Sequence, residues 1–377
     1  MATEFSKWGE RPELEKGIVD ETQIADQEVD ESEGGVTEEI QRHRSVVARK
    51  AKEIIGTKSL PQCGESRIWV NNELDDKKVE NPDEPNFKLL FWNIERGYKI
   101  DQQVEYLKQT QPDVLCLQEV DWGCERTGSR NIALEMAEKA GYKYVVFTTE
   151  FVELDGDKED FPESVRDASE RIGKGGGVHG HAILSKYPIK GASAIKLHKM
   201  WHDWGGGKET MSRKEPRQGQ RVAQKVEIGI GSRTMTIYNT HLEDKTSTAG
   251  RLAQWDQINS DAEKEGNPKI ITGDFNTYSH GIGQYVPKNR PDFFGAQRKT
   301  GERDSDFWKR TEFAGKYEDP SKDPTFNIGS FFKGKLDWTL FEKDKFRISK
   351  SETGPKSMSD HRPVIVEATL SSTSKNT

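Results

Sequence analysis

"KIITGDFNTYSHG", residues 269–281, begins as a short apolar strand and ends in a polar loop. The two isoleucines indicate a buried strand, and Gly273 lets the chain leave that strand at backbone angles that other residues resist. Asp274 and Asn276 follow two positions apart, so an extended backbone points both side chains to the same side. Taken alone, the pair is equally typical of a turn in which Asp and Asn cap their own backbone. The rest of the chain must therefore decide between a turn and a functional site.

The composition describes a polar chain that is long enough to bury a core. It has 377 residues, 32% hydrophobic and 32% charged, with a mean hydropathy of -0.88; this length suits one large domain or two ordinary ones. No apolar run approaches the ~20 residues of a membrane helix, and the start lacks the apolar segment of a secretory signal. The chain has three cysteines, Cys63, Cys116 and Cys124, which form no C-x-x-C pair. This odd and widely spaced set favours a reducing compartment and argues against a zinc site. The sequence therefore predicts an intracellular protein, cytoplasmic or nuclear, without membrane insertion.

Charge divides the chain into two parts. Residues 1–85 hold 12 Lys and Arg against 21 Asp and Glu, a net charge of -9, whereas the remainder carries +2. The stretch 20–39 is acidic and nearly free of large apolar residues, which is typical of disorder. The basic stretch that follows has apolar residues at helical spacing, which predicts a short helix near 38–56. We interpret it as packing on the main domain, with a partner or nucleic-acid contact as the alternative. The predicted organisation is a largely disordered extension over 1–85, a main domain over 86–370 and a flexible tail over 371–377.

Beyond residue 86, strands alternate with helical segments, and polar side chains recur where the strands end. A single such residue usually belongs to a turn, but six strand ends that gather acids, amides and histidines on one rim predict a site. Carboxylate and amide oxygens are the ligands that Mg²⁺ or Mn²⁺ prefers. Such a set suits attack of water on phosphorus, with a base for the water and a cation and donors for the developing charge. The recurring residues are Asn93, Glu119, His241, Asp274 with Asn276, Asp337, and Asp360 with His361.

An ordered series of motifs resembles the endonuclease/exonuclease/phosphatase superfamily, also called the DNase I-like fold. The resemblance covers roughly residues 86–370 and implies an α+β fold, a four-layer αββα sandwich of two mostly antiparallel β-sheets flanked by helices. It also implies a catalytic domain with a divalent metal at one rim. The motifs are "WNI" at 92–94, "QEVD" at 118–121, "GHAILSKYPI" at 180–189, "NTHLE" at 239–243, "GDFNT" at 273–277, "LDW" at 336–338 and "SDHRPV" at 359–364.

The resemblance implies a metal-binding role for three of these residues. Glu119 corresponds to the principal ligand of Mg²⁺ or Mn²⁺. Asn93 lies beside it, as a second ligand or as the group that orients one. Asp360 helps to hold this metal or a second one.

The resemblance also implies a water-activating and phosphate-binding set. Asp274 would orient or deprotonate the attacking water, and Asn276 would bind a phosphoryl oxygen. His361 would donate to the scissile phosphate, with Asp337 keeping its ring charged. His241 matches a second histidine near the phosphate in the DNA-cutting, sphingomyelin-cutting and deadenylase branches.

Four further residues are candidate substrate contacts. Arg251 resembles a helix arginine that supports the site, although an exposed surface arginine is the simpler reading. His181 stands where many members have Asn. Trp201 and Trp204 lie on a Gly-rich loop that could close over a base, a lipid headgroup or a sugar.

The substrate is the least determined part of the prediction. Two basic stretches, 208–221 and 287–310, could follow a phosphate backbone and stack bases, but solvated surface charge explains them equally well. We predict hydrolysis of phosphodiester bonds, in nucleic acid or nucleotides. The alternatives are a phosphatase or phospholipase-type hydrolase that acts on a phosphorylated lipid or inositol headgroup, and a catalytically inactive binding module on the same fold.

Overall fold

A computed structural model describes residues 6–19, 38–155, 174–198, 204, 216–244, 246, 248–277, 315–328 and 332–372. The helices within this part are α1 (Glu38–Lys58), α2 (Ile100–Thr110), α3 (Ile132–Ala140) and α4 (Thr248–Lys264). The strands are β1 (Trp8–Glu10), β2 (Glu15–Val19), β3 (Ser66–Asn71), β4 (Asn86–Arg96), β5 (Val114–Trp122), β6 (Tyr144–Glu153), β7 (Gly177–Ser185), β8 (Ile189–Lys196), β9 (Arg217–Gly219), β10 (Val222–Ile230), β11 (Arg233–His241), β12 (Lys269–Asp274), β13 (Tyr317–Glu318), β14 (Phe326–Ile328), β15 (Phe332–Gly334), β16 (Asp337–Glu342), β17 (Phe346–Thr353) and β18 (Val364–Leu370).

Two large sheets carry the fold. The first has the strand order β1-β3-β6-β7-β5-β4-β18-β17, with β9 beside β6, and the second has the order β13-β16-β12-β11-β10-β8-β2. Only β4–β5, β11–β12 and β2–β8 pair in parallel among the described strands. Strands β14 and β15 form a separate hairpin. Both sheets are therefore mostly antiparallel.

Three apolar layers separate the two sheets and their helices. The layer between the sheets joins Leu89 and Phe91 of the first sheet to Ile237 and Ile270 of the second. Helices α1, α2 and α3 share a second layer with the outer face of the first sheet. Helix α4 packs on the outer face of the second sheet through residues that include Trp255. The predicted four-layer αββα sandwich is confirmed.

The N-terminal region differs from the predicted boundary at residue 86. Strand β1 extends the first sheet through β3, which in turn pairs with β6, and β2 pairs with β8 at the edge of the second sheet. Helix α1 buries Val47, Ala51 and Ile54 against the first sheet. These short elements gain their stability from long-range pairing, whereas composition averaged over 1–85 reflects mainly its acidic stretch. Most of that stretch, residues 20–37, lies outside the described residues, as does 373–377 of the predicted tail.

Adjacent strands of the second sheet bring three predicted site residues together at one edge. His241 is the last residue of β11 and pairs with Asp274, the last residue of β12. Asp274 also pairs with Asp337, the first residue of β16. We call this end of the two sheets the rim. No helix in the described part of the chain is long and apolar enough to cross a membrane.

Candidate active site

A buried histidine–aspartate pair forms one side of the rim. Nδ1 of His361 lies 2.8 and 3.0 Å from the two carboxylate oxygens of Asp337, and both side chains are buried. Burial disfavours the imidazolium, but the negative charges of Asp337 and Asp274 outweigh it, so the pKa of His361 is raised well above its ordinary value. With Nδ1 engaged by Asp337, a charged ring presents its Nε2–H to the site.

Two hydrogen bonds to the first sheet hold the loop that carries His361. Trp92 donates its Nε1–H to the His361 carbonyl over 3.0 Å. The hydroxyl of Ser359 donates to the Asn93 carbonyl over 2.7 Å. The loop before β18 is therefore fixed to β4, and His361 reaches across to the end of the second sheet.

Asp274 lies between two histidines. Its Oδ2 is 3.5 Å from Nε2 of His361 and 3.6 Å from Nε2 of His241. Burial raises the pKa of Asp274 to about 7, with Asp337 and Glu119 acting in the same direction and His361 opposing them. A carboxyl group with a pKa near neutrality can exchange a proton at neutral pH, as a general base must.

Glu119 owes its position to a bulge in β5. The pairing of β5 with β7 shifts between Leu117 and Val120, and Glu119 has a φ of 53°. Positive φ is uncommon for a residue with a side chain and is often found at functional sites. The bulge turns the half-buried carboxylate of Glu119 toward Asn93, whose Nδ2 donates to Glu119 Oε1 over 3.1 Å and to Asp274 Oδ2 over 3.3 Å.

Glu119 belongs to a group of three carboxylates, together with Glu95 and Asp360. Burial raises the pKa of Glu95, and the charges of Asp360 and Glu119 raise it further. The pKa of Asp360 is raised by burial and by Glu119. Burial also tends to raise the pKa of Glu119, but the positive charges of Arg96 and His179 outweigh burial and lower that pKa. Mutually repelling carboxylate oxygens beside the Asn93 amide are a donor set that fits a hard divalent cation.

A second group of possible ligands lies on the other side of Asp274. Ligand atoms of Asp274, Asp337 and His361 all lie within 4.8 Å of one another. However, His361 and Asp337 already bind each other through Nδ1, which is the arrangement of a charged hydrogen-bond donor and its counter-ion. The carboxylates around Glu119 therefore fit a divalent cation better than this second group does.

His241 and Asn276 complete the rim beside Asp274. Burial and the charge of Arg221 lower the pKa of His241 well below its ordinary value, so its ring is neutral at neutral pH. Its Nδ1 is buried without a hydrogen-bond partner among the described residues. Asn276 has a φ of 51°; its backbone N–H donates to Asp274 Oδ1 over 3.0 Å, and its Nδ2 donates to the Leu242 carbonyl over 2.9 Å.

Three of the four candidate substrate contacts are described, and all three are buried. Nη1 of Arg251 donates to the carbonyls of Glu243 and Thr246, so it supports the loop after His241. Nε2 of His181 lies 3.2 Å from the Val222 carbonyl and 3.2 Å from Glu150.

Trp204 is also held inside the protein. Its indole N–H donates to Glu243 Oε2 over 2.9 Å, and its ring packs 5.0 Å from that of Phe151. The sequence analysis placed Trp204 on a Gly-rich loop as a candidate substrate contact, and the structure buries its ring. The physical reason is the guanidinium of Arg217, which covers the indole ring at 5.4 Å. Trp201 lies outside the described residues.

The two predicted basic stretches are described only at 216–221. There the arginines are buried rather than exposed: Arg217 lies 2.7 Å from Glu153, and Arg221 is paired with Glu150, Glu243 and Asp244. These two cations therefore serve internal ion pairs.

A buried ionic cluster behind Glu119 was not predicted from the sequence. Nδ1 of His179 lies 2.8 Å from Asp121, and Arg126 makes a two-pronged ion pair with the same carboxylate. Arg126 also lies 3.2 Å from Glu153. The spacing of His179 and His181 in "VHGHA" could have indicated this cluster, because residues two apart on a strand face the same side.

The sandwich and its polar rim define a member of the DNase I-like superfamily. The sequence model of the Endonuclease/Exonuclease/phosphatase family matches residues 90–361, and the chain belongs to this family. Family members are mostly hydrolases that act on phosphoesters, typically with divalent metals. A comparison with curated proteins gives no match.

Three solved structures of low sequence identity are similar to this chain. An endonuclease/exonuclease/phosphatase from Beutenbergia cavernae gives a TM-score of 0.51 at 17% identity, over 76% of this chain and 72% of that one. The human Nocturnin catalytic domain gives 0.49 at 17% identity, over 76% and 94%. ANGEL2, a 2′,3′-cyclic phosphatase, gives 0.49 at 13% identity, over 79% and 99%.

Proposed function

We propose that the protein is a divalent-metal-dependent phosphodiesterase that hydrolyses phosphodiester bonds in nucleic acid or nucleotides by in-line attack of water. The supporting observation is the pair formed by Asp274 and His361. Their side chains are 3.5 Å apart, and the pKa of each is raised. The raised pKa of His361 keeps its ring a cationic donor at neutral pH, where Asp274, with a pKa of about 7, is partly ionised and can act as the base.

In this proposal Asp274 accepts a proton from the attacking water. The water oxygen forms the new bond to phosphorus as the bond to the leaving oxygen breaks, and the leaving oxygen departs on the opposite side. Nε2–H of His361 donates to a phosphoryl oxygen, and His241 and Asn276 border the same position. Such donors act mainly on the transition state, because charge on those oxygens develops there.

The same proposal assigns Glu119, Asp360 and Asn93 to Mg²⁺ or Mn²⁺, with Glu95 as a further carboxylate. When bound, the cation neutralises charge on the phosphate and its leaving oxygen. Asn93 keeps the Glu119 carboxylate oriented through its 3.1 Å hydrogen bond. We further propose a reducing cytoplasmic or nuclear setting, which the free Cys63, Cys116 and Cys124 support.

The test is a substrate panel with the full chain. Duplex DNA, single-stranded DNA, RNA, poly(A), phosphoinositides and sphingomyelin are each incubated with Mg²⁺, Mn²⁺ or EDTA. We expect hydrolysis of a nucleic-acid phosphodiester with either metal and none with EDTA. Hydrolysis confined to a lipid or inositol phosphate would replace our proposal by the lipid-headgroup alternative. Substrate binding without any hydrolysis would favour the inactive binding module.

A matched pair of variants separates the site from a general effect of charge. Glu119→Gln should abolish most turnover on the substrate that the wild type cleaves. Glu105→Gln removes an exposed carboxylate from α2 and should leave turnover unchanged. Equal activity of the two variants would contradict the assignment of Glu119.

A further inference from the structure

The turn after β4 presents an exposed aromatic ring beside the carboxylate cluster. Tyr98 and Ile18 are the two exposed large hydrophobic side chains among the described residues, and Tyr98 is 42% exposed. We propose that Tyr98 is the stacking platform for a nucleobase next to the scissile phosphate. This inference rests on the proposed function and narrows its substrate to phosphodiesters that carry an aromatic base.

Geometry ties the Tyr98 ring to the metal side of the rim. In the pairing of β4 with β5, Arg96 lies opposite Val120, the residue after Glu119. The Arg96 guanidinium carbon is 5.8 Å from the centroid of the Tyr98 ring. A single side chain, that of Arg96, therefore lies between the exposed ring and the strand segment that carries Glu119.

The turn that carries Tyr98 is strained. Glu95, Arg96 and Gly97 have successive φ values of 48°, 61° and 78°. A Cβ on Gly97 would lie 2.6 Å from the side chain of Ile132, so only glycine fits there. Strained conformations persist where the surrounding structure enforces them, and they concentrate at functional sites.

Hydrogen bonds from α2 and from the residue before it enforce this conformation. The amide of Gln103 donates to the carbonyls of Ile94 and Met358 over 3.0 and 2.9 Å. Nζ of Lys99 donates to the Ser357 carbonyl over 3.0 Å. The turn is thus fixed to the loop that carries Asp360 and His361. A fixed turn loses little backbone freedom when a ligand stacks on the ring that it carries, which favours binding.

The charge beside the ring selects the kind of ligand. A tyrosine face can hold a nucleobase by stacking or a quaternary ammonium by a cation–π contact. Arg96 places a positive charge next to the Tyr98 ring, which repels a choline-type headgroup. The same charge attracts a phosphate that is attached to a neutral aromatic base. The pair therefore favours a nucleotide over a choline lipid.

The test uses dinucleotides that contain one phosphodiester, so that the cleaved bond is known. The substrates are dTpdT and the two analogues in which the 5′ or the 3′ base is replaced by hydrogen. With Mg²⁺, Tyr98→Ala should raise KM for dTpdT about tenfold, within the range known for base–aromatic stacking, and should change kcat by less than about threefold. Tyr98→Phe should recover most of the loss because it keeps the ring. Ile18→Ala, which truncates an exposed side chain on β2, should match the wild type.

The analogues distinguish stacking from an indirect effect through Arg96. The analogue that lacks the base stacked on Tyr98 should already have a raised KM with the wild-type protein, compared with dTpdT. On that analogue, Tyr98→Ala should raise KM by less than about twofold. An unchanged KM for dTpdT, or an equal loss on all three substrates, would overturn the proposal. The substrate panel, not these dinucleotides, decides the proposed function; if the wild type cleaves none of the three, titration calorimetry of the same ligands decides the inference. Base-dependent affinity that Tyr98→Ala removes would support the platform, and affinity independent of the base would overturn it.

Discussion

Replacing Asp337 by Asn tests whether His361 works as a charged donor. The substitution removes the negative charge 2.8 Å from Nδ1 and nearly preserves the shape of the side chain. An opposite charge at such a distance typically shifts a pKa by about 1–3 units, equivalent to about 1.4–4 kcal/mol. Since Asp337 raises the pKa of His361, its loss should lower that pKa. The charged ring is lost as pH rises through its pKa, so the alkaline limb of activity should move to lower pH by about 1–3 units.

Two measurements check this expectation. Imidazole NMR titration of the metal-free protein follows the pKa of His361 directly and needs no substrate. The pH dependence of kcat follows its consequence, and kcat should fall by at least about tenfold, since donors of this kind contribute ~10²–10⁴-fold. Asp101→Asn removes an exposed carboxylate from α2 and serves as the control.

The combination with His361→Ala shows whether the two residues act as one unit. The double variant should lose about as much kcat as His361→Ala alone, because Asp337 acts only through the ring. An unshifted pKa in Asp337→Asn, or losses that add fully, would refute the reasoning. Asp337 would then be a polar strand end next to an independent histidine.

Three further predictions test the metal side, the N-terminal region and the buried ion pairs. Glu119→Gln should lower kcat at saturating Mg²⁺ by at least about tenfold and weaken Mg²⁺ binding in calorimetry; wild-type values for both would disprove the ligand assignment. Ile54→Ala should lower the free energy of unfolding by about 2–5 kcal/mol in urea denaturation, because this side chain of α1 is buried against the first sheet; a change below about 0.5 kcal/mol would mean that α1 is not part of the core. Burial opposes the ionisation of Glu150, but His181 and Arg221 outweigh it and lower its pKa to about 2. The folded state therefore gains stability above pH ~4.5 that is lost as pH falls toward about 2. Glu150→Gln should flatten this part of the curve of unfolding free energy against pH, and an equally steep curve would contradict the assignment.

The main domain was predictable because its motifs lie next to one end of successive strands, either where the strand stops or where it starts, in a fixed order. The "GDFNT" and "SDHRPV" segments alone indicate strand ends, and with "QEVD" they indicate a shared rim. The N-terminal strands were not predictable in this way. Strand β1 is three residues long, and the burial pattern of β2 shows no fully buried position. Their partners, β3 and β8, are supplied by distant parts of the chain.

Within the site, too, residues at regular strand ends were predictable from the sequence, and residues on irregular segments were not. Residues at regular strand ends, such as His241 and Asp274, could be anticipated because a polar side chain follows an apolar strand. Glu95 could not, because its approach to Asp360 depends on a left-handed turn that the sequence marks only by the following Gly97. Trp204 was misplaced because a Gly-rich neighbourhood favours an exposed loop, whereas buried arginine and glutamate partners hold its ring inside.

Asn93 explains how two separate sheets maintain one site. Glu119 belongs to the first sheet and Asp274 to the second, so nothing in the pairing of strands fixes the distance between them. The Asn93 amide donates to both carboxylates, over 3.1 and 3.3 Å. A neutral donor is required at this position, because a third carboxylate would add to the repulsion that already raises the pKa of Asp274. An alkyl side chain would remove a hydrogen-bond donor from the buried Asp274 and from the half-buried Glu119, and the loss of a partner at a buried acceptor costs about 1–3 kcal/mol. An amide in "WNI" thus meets both demands, since it links the carboxylate expected to bind the metal to the carboxylate expected to activate water.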